Sequence, residues 1–198
     1  MTGYILFRQI WRHAMNKKIL VPLANGFETI EALVVVDVFR RADITVDVAA
    51  VGADLQVRSS HNILVTADMR LSDCADKTYD AIVLPGGLEG SENLRDSALV
   101  VDMLKKQNQE NKLYGAICAA PVFVLEHHGL LEGKTATCFP ASTAPGKAAG
   151  CGCRGIKKLR YGPGRRSFCR VCVCLAGTTG RPHAARAGRK DDGLVAAF

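Results

Sequence analysis

No apolar run in the 198 residues approaches the roughly 20 that a membrane-crossing helix needs. A clean signal peptide is missing, which, with this length, argues against a secreted disulfide scaffold despite eight cysteines. Acids are missing from residues 1–15 and nearly absent from 144–198, where only Asp191 and Asp192 occur. That last stretch also has few large apolar residues, nine Val, Ile, Leu or Phe in all, and little aromatic content. Wholesale disorder is excluded by what is present, 48% hydrophobic against 23% charged residues.

The net charge of +7 suggests a nucleic-acid partner until it is divided along the chain. Residues 1–15 carry +2, residues 16–143 carry −5, and residues 144–198 carry +10. A mildly acidic body does not steer polyanions toward itself. The basic character belongs to the tail, with five of the eight cysteines and 10 of the 19 glycines. The sequence therefore divides into a leader or extension (1–15), a globular domain (16–143) and an atypical basic, Cys/Gly-rich tail (144–198). The leader is short and poor in serine. We read it as an extension ahead of a working start at Met15, with a mitochondrial presequence as the lesser alternative.

Within the body, strand and helix patterns alternate. Apolar runs predict strands over 19–23, 44–51, 79–84 and 113–117, with a short one over 135–138 and a hairpin from 56–58 and 63–66. Helical periodicity covers 28–41, 91–109 and 121–127. Alternation of this kind predicts an α/β fold, a mostly parallel sheet with helices on both faces. Function in such sheets gathers at the carboxyl ends of the strands. Asn25-Gly26, Pro85-Gly86-Gly87 and Cys118 all fall at such ends.

Cys118, in GAICAAP, sits between a strand and a helix. A tight strand-to-helix turn holds its residue in a strained conformation with the side chain exposed. The helix N-terminus that follows is expected to stabilise a thiolate. The plainer alternative is a buried, inert cysteine. Glu31 shares a helix face with Glu28 and is a candidate general base or hydrogen-bond donor beside a thiol. Its plainer alternative is a solvated first-turn acid facing the helix dipole. The amides of Gly86-Gly87 are candidates for an oxyanion site, or the pair is simply a turn.

LANGFETIEALVVVDVFRRADI, YDAIVLPGG, GSENLRDSALVVDML and GAICAAP, in this order, resemble the ThiJ/PfpI superfamily, in the branch of the human parkinsonism-associated deglycase and bacterial YajL. The resemblance covers about residues 17–142. It implies a flavodoxin-like three-layer sandwich, usually a homodimer. It implies Cys118 as the reactive cysteine and Glu31 as the glutamate bonded to its sulfur. Gly87 and Ala119 are implied as the amides of a small anion pocket, beside Gly86. The implied chemistry needs no cofactor and no metal: glyoxalase or deglycase action on methylglyoxal or its adducts, in the cytoplasm. The alternative is a redox sensor or chaperone built on the same cysteine. The peptidase branch carries histidine where this chain has Ala119, which argues against proteolysis. Phe139 replaces a histidine of the human protein, as it does in YajL-like members. His61, His127 and His128 remain.

The tail does not continue the family pattern. One reading is a zinc site from Cys151, Cys153, Cys169 and Cys172, of which only Cys169-x-x-Cys172 has good metal-site form. A second is a basic arm for nucleic acid or anionic surfaces. The third, which we put first, is a frameshift: one back-translation from Phe168, moved by one base, yields an amphipathic helix similar to the family's closing helix. On that reading the protein as written lacks apolar cover and is expected to aggregate.

Overall fold

The computed structural model describes residues 17–132, 134, 136, 138 and 139, together with the backbone of Cys174–Ala176. Strand β1 (Lys18–Leu23) and strand β2 (Thr45–Ala50) pair in parallel over six positions, from Lys18 opposite Thr45 to Leu23 opposite Ala50. Five of the six residues in each are buried. A strand covered on both faces reads as an unbroken apolar run, which is why these two were visible without alternation. Helix α1 (Thr29–Arg41) joins them. Glu28 caps it, its carboxylate accepting from the amides of Ile30 at 2.7 Å and Glu31 at 3.1 Å.

A hairpin of β3 (Gln56–Arg58) and β4 (Leu64–Thr66) follows, turning through Asn62 at φ +64°. Short strand β5 (Met69–Arg70), a single 3₁₀ turn (Leu71–Cys74) and strand β6 (Ala81–Leu84) come next. Helices α2 (Leu88–Asp96) and α3 (Ala98–Gln109) lead to β7 (Leu113–Ala116) and the short helix α4 (Pro121–Glu126). The last described strand is β8 (Cys174–Ala176).

The main sheet runs in the order β5-β2-β1-β6-β7-β8. Every pairing in it is parallel except β7 with β8, where Tyr114 faces Ala176 and Ala116 faces Cys174. One core cluster, including Leu20, Leu84, Leu94, Leu104, Tyr114 and Val124, fills the face beneath α2, α3 and α4. The other, including Val21, Leu23, Phe27, Val36 and Val48, fills the face beneath α1. This is the expected flavodoxin-like three-layer arrangement. Burying one such Leu or Val side chain contributes about 2 kcal/mol, so these two layers dominate the stability of the fold.

Five expectations need correction. The single helix expected over 91–109 is two helices, and the first starts three residues earlier. Ser97 adopts an extended conformation at φ −80°, ψ 105° and caps α3, its Oγ accepting from Val100 N. A serine bonding its own backbone outcompeted helix continuation there. Strand β5 was not anticipated, since two residues carry no period. The helix at 121–127 is wound wider than α, with His127 N donating to Val122 O and Leu130 N to Leu125 O. The strand over 135–138 falls partly outside the described residues, and its described members, Ala136 and Cys138, are not in a strand. Finally, the tail contributes β8 to the sheet edge, which its composition did not foretell. The zinc reading's four cysteines lie outside the described residues.

Candidate active site

Strand order reverses between β1 and β6, and such a switch point opens a crevice at the carboxyl ends of the strands. Three strand ends meet there. After β7, Ile117 N still donates to Leu84 O at 3.2 Å, and the chain then breaks into Cys118 at φ +60°. A left-handed backbone costs a non-glycine residue roughly 1–2 kcal/mol. The turn lifts the half-buried side chain out of the sheet toward α1.

The structure brings Cys118, Glu31, Gly86, Gly87 and Ala119 together. The Glu31 carboxyl is hydrogen-bonded to the Cys118 sulfur, and the amides of Gly87 and Ala119 donate to the same sulfur. Gly86 N donates to Glu31 Oε2 at 2.9 Å. Both glycines are forced by space. A Cβ on Gly86 would strike Glu31 Oε2 and lie 2.5 Å from Cys118 Cβ. Gly87 stands at φ +89°, and a Cβ there would lie 2.8 Å from Glu28 N. Glu28, by contrast, is spent on capping α1 and does not touch the sulfur.

The electrostatics differ from the expected thiolate. Burial pushes the Cys118 thiol up to about 11, and the adjacent Glu31 charge adds to this. The Gly87 and Ala119 amides pull the other way and are outweighed. Glu31 is raised as well, by burial first, with a further push from Glu28, against lowering bonds from Cys118 and Gly86. The Glu31 charge raises the thiol while the bond from the thiol lowers Glu31, so the proton between them stays on the sulfur. The resting pair is thus a thiol poised beside a carboxylate base.

Among the described residues no histidine supplies a further base. His127 and His128 stack edge to face at the end of α4, where His128 Nε2 meets Arg95 O at 3.0 Å. His61 lies on the hairpin tip, 3.9 Å from Glu28 Oε1. Phe139 was singled out only as a departure from a relative, yet its amide donates to Cys118 O at 2.7 Å and pins the elbow from the far side. Nothing in the local pattern signals that bond, which joins residues 21 apart. Among the described residues no group of three or more His, Cys, Asp or Glu is arranged to hold a metal, and no helix is long and apolar enough to cross a membrane. A cleft of about 640 Å³ between Asn25, Asp54, Arg58 and Glu89 does not include Cys118. The atoms around the sulfur, rather than this larger space, define the site.

Known proteins resemble this chain over most of its described residues. The chain is 50% identical over 131 residues to Protein DJ-1 homolog B of Arabidopsis thaliana, covering 66% of this chain and 30% of that one. It thus spans under a third of that relative's length. It is 34% identical over 109 residues to the glutathione-independent glyoxalase DJR-1.2 of Caenorhabditis elegans, covering 55% and 57%. Among solved structures, oxidized Toxoplasma gondii DJ-1 superposes with a TM-score of 0.65 at 36% identity, covering 81% of each chain. The DJ-1/PfpI family matches residues 17–152, which takes in the three strand ends that meet at the crevice and every site residue described above. With two thirds of its length matched and a half-buried cysteine at the elbow between β7 and α4, the chain belongs to the DJ-1/PfpI family.

Proposed function

We propose that the chain is a cysteine-dependent, cofactor-free glyoxalase or protein deglycase, acting on methylglyoxal or its adducts and protecting against carbonyl and oxidative stress. One observation carries the reading: a single sulfur bonded at once by the Glu31 carboxyl and by the Gly87 and Ala119 amides. The likeness to a glyoxalase of C. elegans supports the same reaction class.

The Cys118 sulfur attacks the aldehyde carbon while the Glu31 carboxylate takes the thiol proton. The new alkoxide of the hemithioacetal sits on the carbon bonded to the sulfur, within the field of the two amides, and is stabilised there. Glu31 gives the thiol proton to this alkoxide, then carries the proton of the former aldehyde carbon to the neighbouring carbon while the hydroxyl proton passes to that neighbour's oxygen, leaving the thioester of a 2-hydroxy acid. Water hydrolyses it to a 2-hydroxy acid and returns the thiol. A base poised above the usual carboxylate range suits both proton transfers. Ala119 beside the nucleophile offers no imidazole, which disfavours a peptidase.

The experiment is methylglyoxal consumption by the purified protein beside Cys118→Ser and Glu31→Gln. Multiple turnovers lost in both variants support the enzyme. A wild type without turnover, in which peroxide adds oxygen at Cys118, transfers the assignment to the alternative, a redox sensor or chaperone. That second reading is favoured by the same amides, which suit sulfinate oxygens, and by the oxidised state of the similar Toxoplasma protein.

We place the protein in the cytoplasm, with mitochondria as the lesser alternative. Its partner is a second copy of itself. Exposed Ile30, Leu33 and Val34 on α1 form an apolar stripe flanking Glu31, a face suited to self-association. The acidic body gives no reason to invoke nucleic acid, which is left to the basic tail.

A further inference from the structure

The cleft of about 640 Å³ has no part in the reaction proposed above, which needs room only for a small aldehyde. One of its walls is the outer edge of β3. Leu55 O accepts from Ala67 N at 2.9 Å and Ser59 N donates to Ile63 O at 2.9 Å, so residues 55, 57 and 59 turn their main chain toward β4. In an antiparallel ladder the residues between them face the opposite way. Arg58 is met on that side by the turn after β1, its amide donating to Asn25 Oδ1 at 2.9 Å and its carbonyl accepting from Gly26 N at 2.8 Å. Gln56 has the same direction, lines the cleft and is exposed. Among the described residues its outward N–H and C=O have no partner. An open strand edge of this kind pairs with an extended chain.

Charge narrows the kind of chain. Asp54 and Glu89 line the cleft, and among the described residues neither carboxylate has a hydrogen bond or ion pair. The cation of the cleft, Arg58, is already bonded to Asn62 Oδ1. Position narrows it further. Gly26 lines the cleft, and its carbonyl oxygen lies 2.3 Å from where a Cβ on Gly87 would stand. The Gly87 amide in turn bonds the Cys118 sulfur. Ordinary bond lengths then put the sulfur within about 12 Å of the Gly26 wall. An extended arginine or lysine side chain carrying a three-carbon adduct spans about 10 Å. We propose that this cleft docks the polypeptide that carries the adduct: an extended segment pairs with Gln56, an unmodified basic side chain lies against Asp54 and Glu89, and the modified side chain reaches past Gly26 to Cys118. The inference rests on the deglycase reading of the site. A free aldehyde uses none of these contacts, so they favour the polypeptide alone.

The test uses the full chain and a fluorescent hexapeptide whose methylglyoxal-modified arginine is flanked by two lysines, beside a twin flanked by two glutamates. Binding is read by anisotropy, and release of unmodified arginine by mass spectrometry. The lysine peptide should bind about tenfold tighter than its twin, as expected of two partly exposed charge contacts. Asp54→Asn with Glu89→Gln should bring the two peptides level. Asp102→Asn with Glu126→Gln, the same change of charge at exposed acids outside the cleft, should leave the preference standing. N-methylation of the lysine peptide at alternate residues should weaken binding in one register and spare the other. A preference that survives in the cleft pair, or falls equally in the outside pair, overturns the proposal, as do two registers that bind alike. Methylglyoxal turnover with equal binding of both peptides removes the docking site and leaves the reaction. Selective, Glu89-dependent binding without release of arginine removes the deglycase reaction and leaves the docking site.

Discussion

At the scale of single residues, the site is a contest between burial and hydrogen bonding over one proton. Glu31→Gln tests it directly. The amide keeps the shape but removes the charge that helps hold Cys118 near 11. The thiol should then titrate at lower pH by ultraviolet absorbance, while methylglyoxal turnover falls by about 10²–10⁴ for loss of the base. A thiol that becomes more acidic and less active together is the signature; an unchanged titration would sink this account. The pH profile has its own sign. Glu31 must be ionised to accept the thiol proton, and its pKa is raised above 4.5, so turnover should climb later than an ordinary glutamate would allow. It should fall again only near 11, where the pair has lost its proton. Gly86→Ala should abolish turnover by prising Glu31 from Cys118, at a stability cost of about 1–3 kcal/mol, read by thermal melting. The sequence announced the identities of these residues through the GAICAAP and GFETIEA motifs. It could not announce the high thiol pKa, because that arises from burial beneath α1, a segment nearly 90 residues away.

Elements are held in register by one buried polar cluster at the opposite end of the sheet. Asp47 of β2 accepts from Tyr79 OH at 2.8 Å and pairs with Lys18 of β1 at 2.9 Å. Lys18 also lies over the Tyr79 ring, 5.4 Å from its centre. Burial alone would raise the Asp47 carboxyl, but the bonds from Lys18 and Tyr79 and the nearby Lys77 charge outweigh it and hold the group low. A depressed carboxylate stabilises the fold above its unfolded pKa, and this contribution is lost as pH falls through the lower folded value. Tyr79→Phe should cost about 1–2 kcal/mol in denaturant melts at neutral pH, less toward the acid end. A loss that stays constant down to acid pH would contradict the linkage. Strands β1, β2, β6 and β7 were legible because they are largely buried and mostly apolar, Lys18 and Asp47 being the charged exceptions. The break between α2 and α3 was not, since Ser97 sits inside an intact helical period and its capping bond decides the matter. Strand β5 exists only because Met69 and Arg70 fall opposite Ala49 and Ala50, a fact of pairing rather than of local sequence.

For the molecule as a whole, the question is what covers its apolar faces. Ile30 is 68% exposed and Val34 43%, on the same helix that carries Glu31. If the tail fails to supply the usual closing cover, purified full-length protein should form large species on sizing, and Ile30→Glu with Val34→Glu should raise the soluble fraction. A monodisperse wild type would refute this. Genomic DNA read against the transcript would decide the frameshift independently, since an uninterrupted frame excludes it.

The left-handed turn at Cys118 has a bearing on directed evolution. A library selected only for heat resistance, blind to aldehyde chemistry, should drift toward glycine at position 118, because glycine alone adopts that backbone without penalty. The winners would outlast the parent on heating and catalyse nothing. Any campaign to harden this protein would therefore have to score turnover in every round.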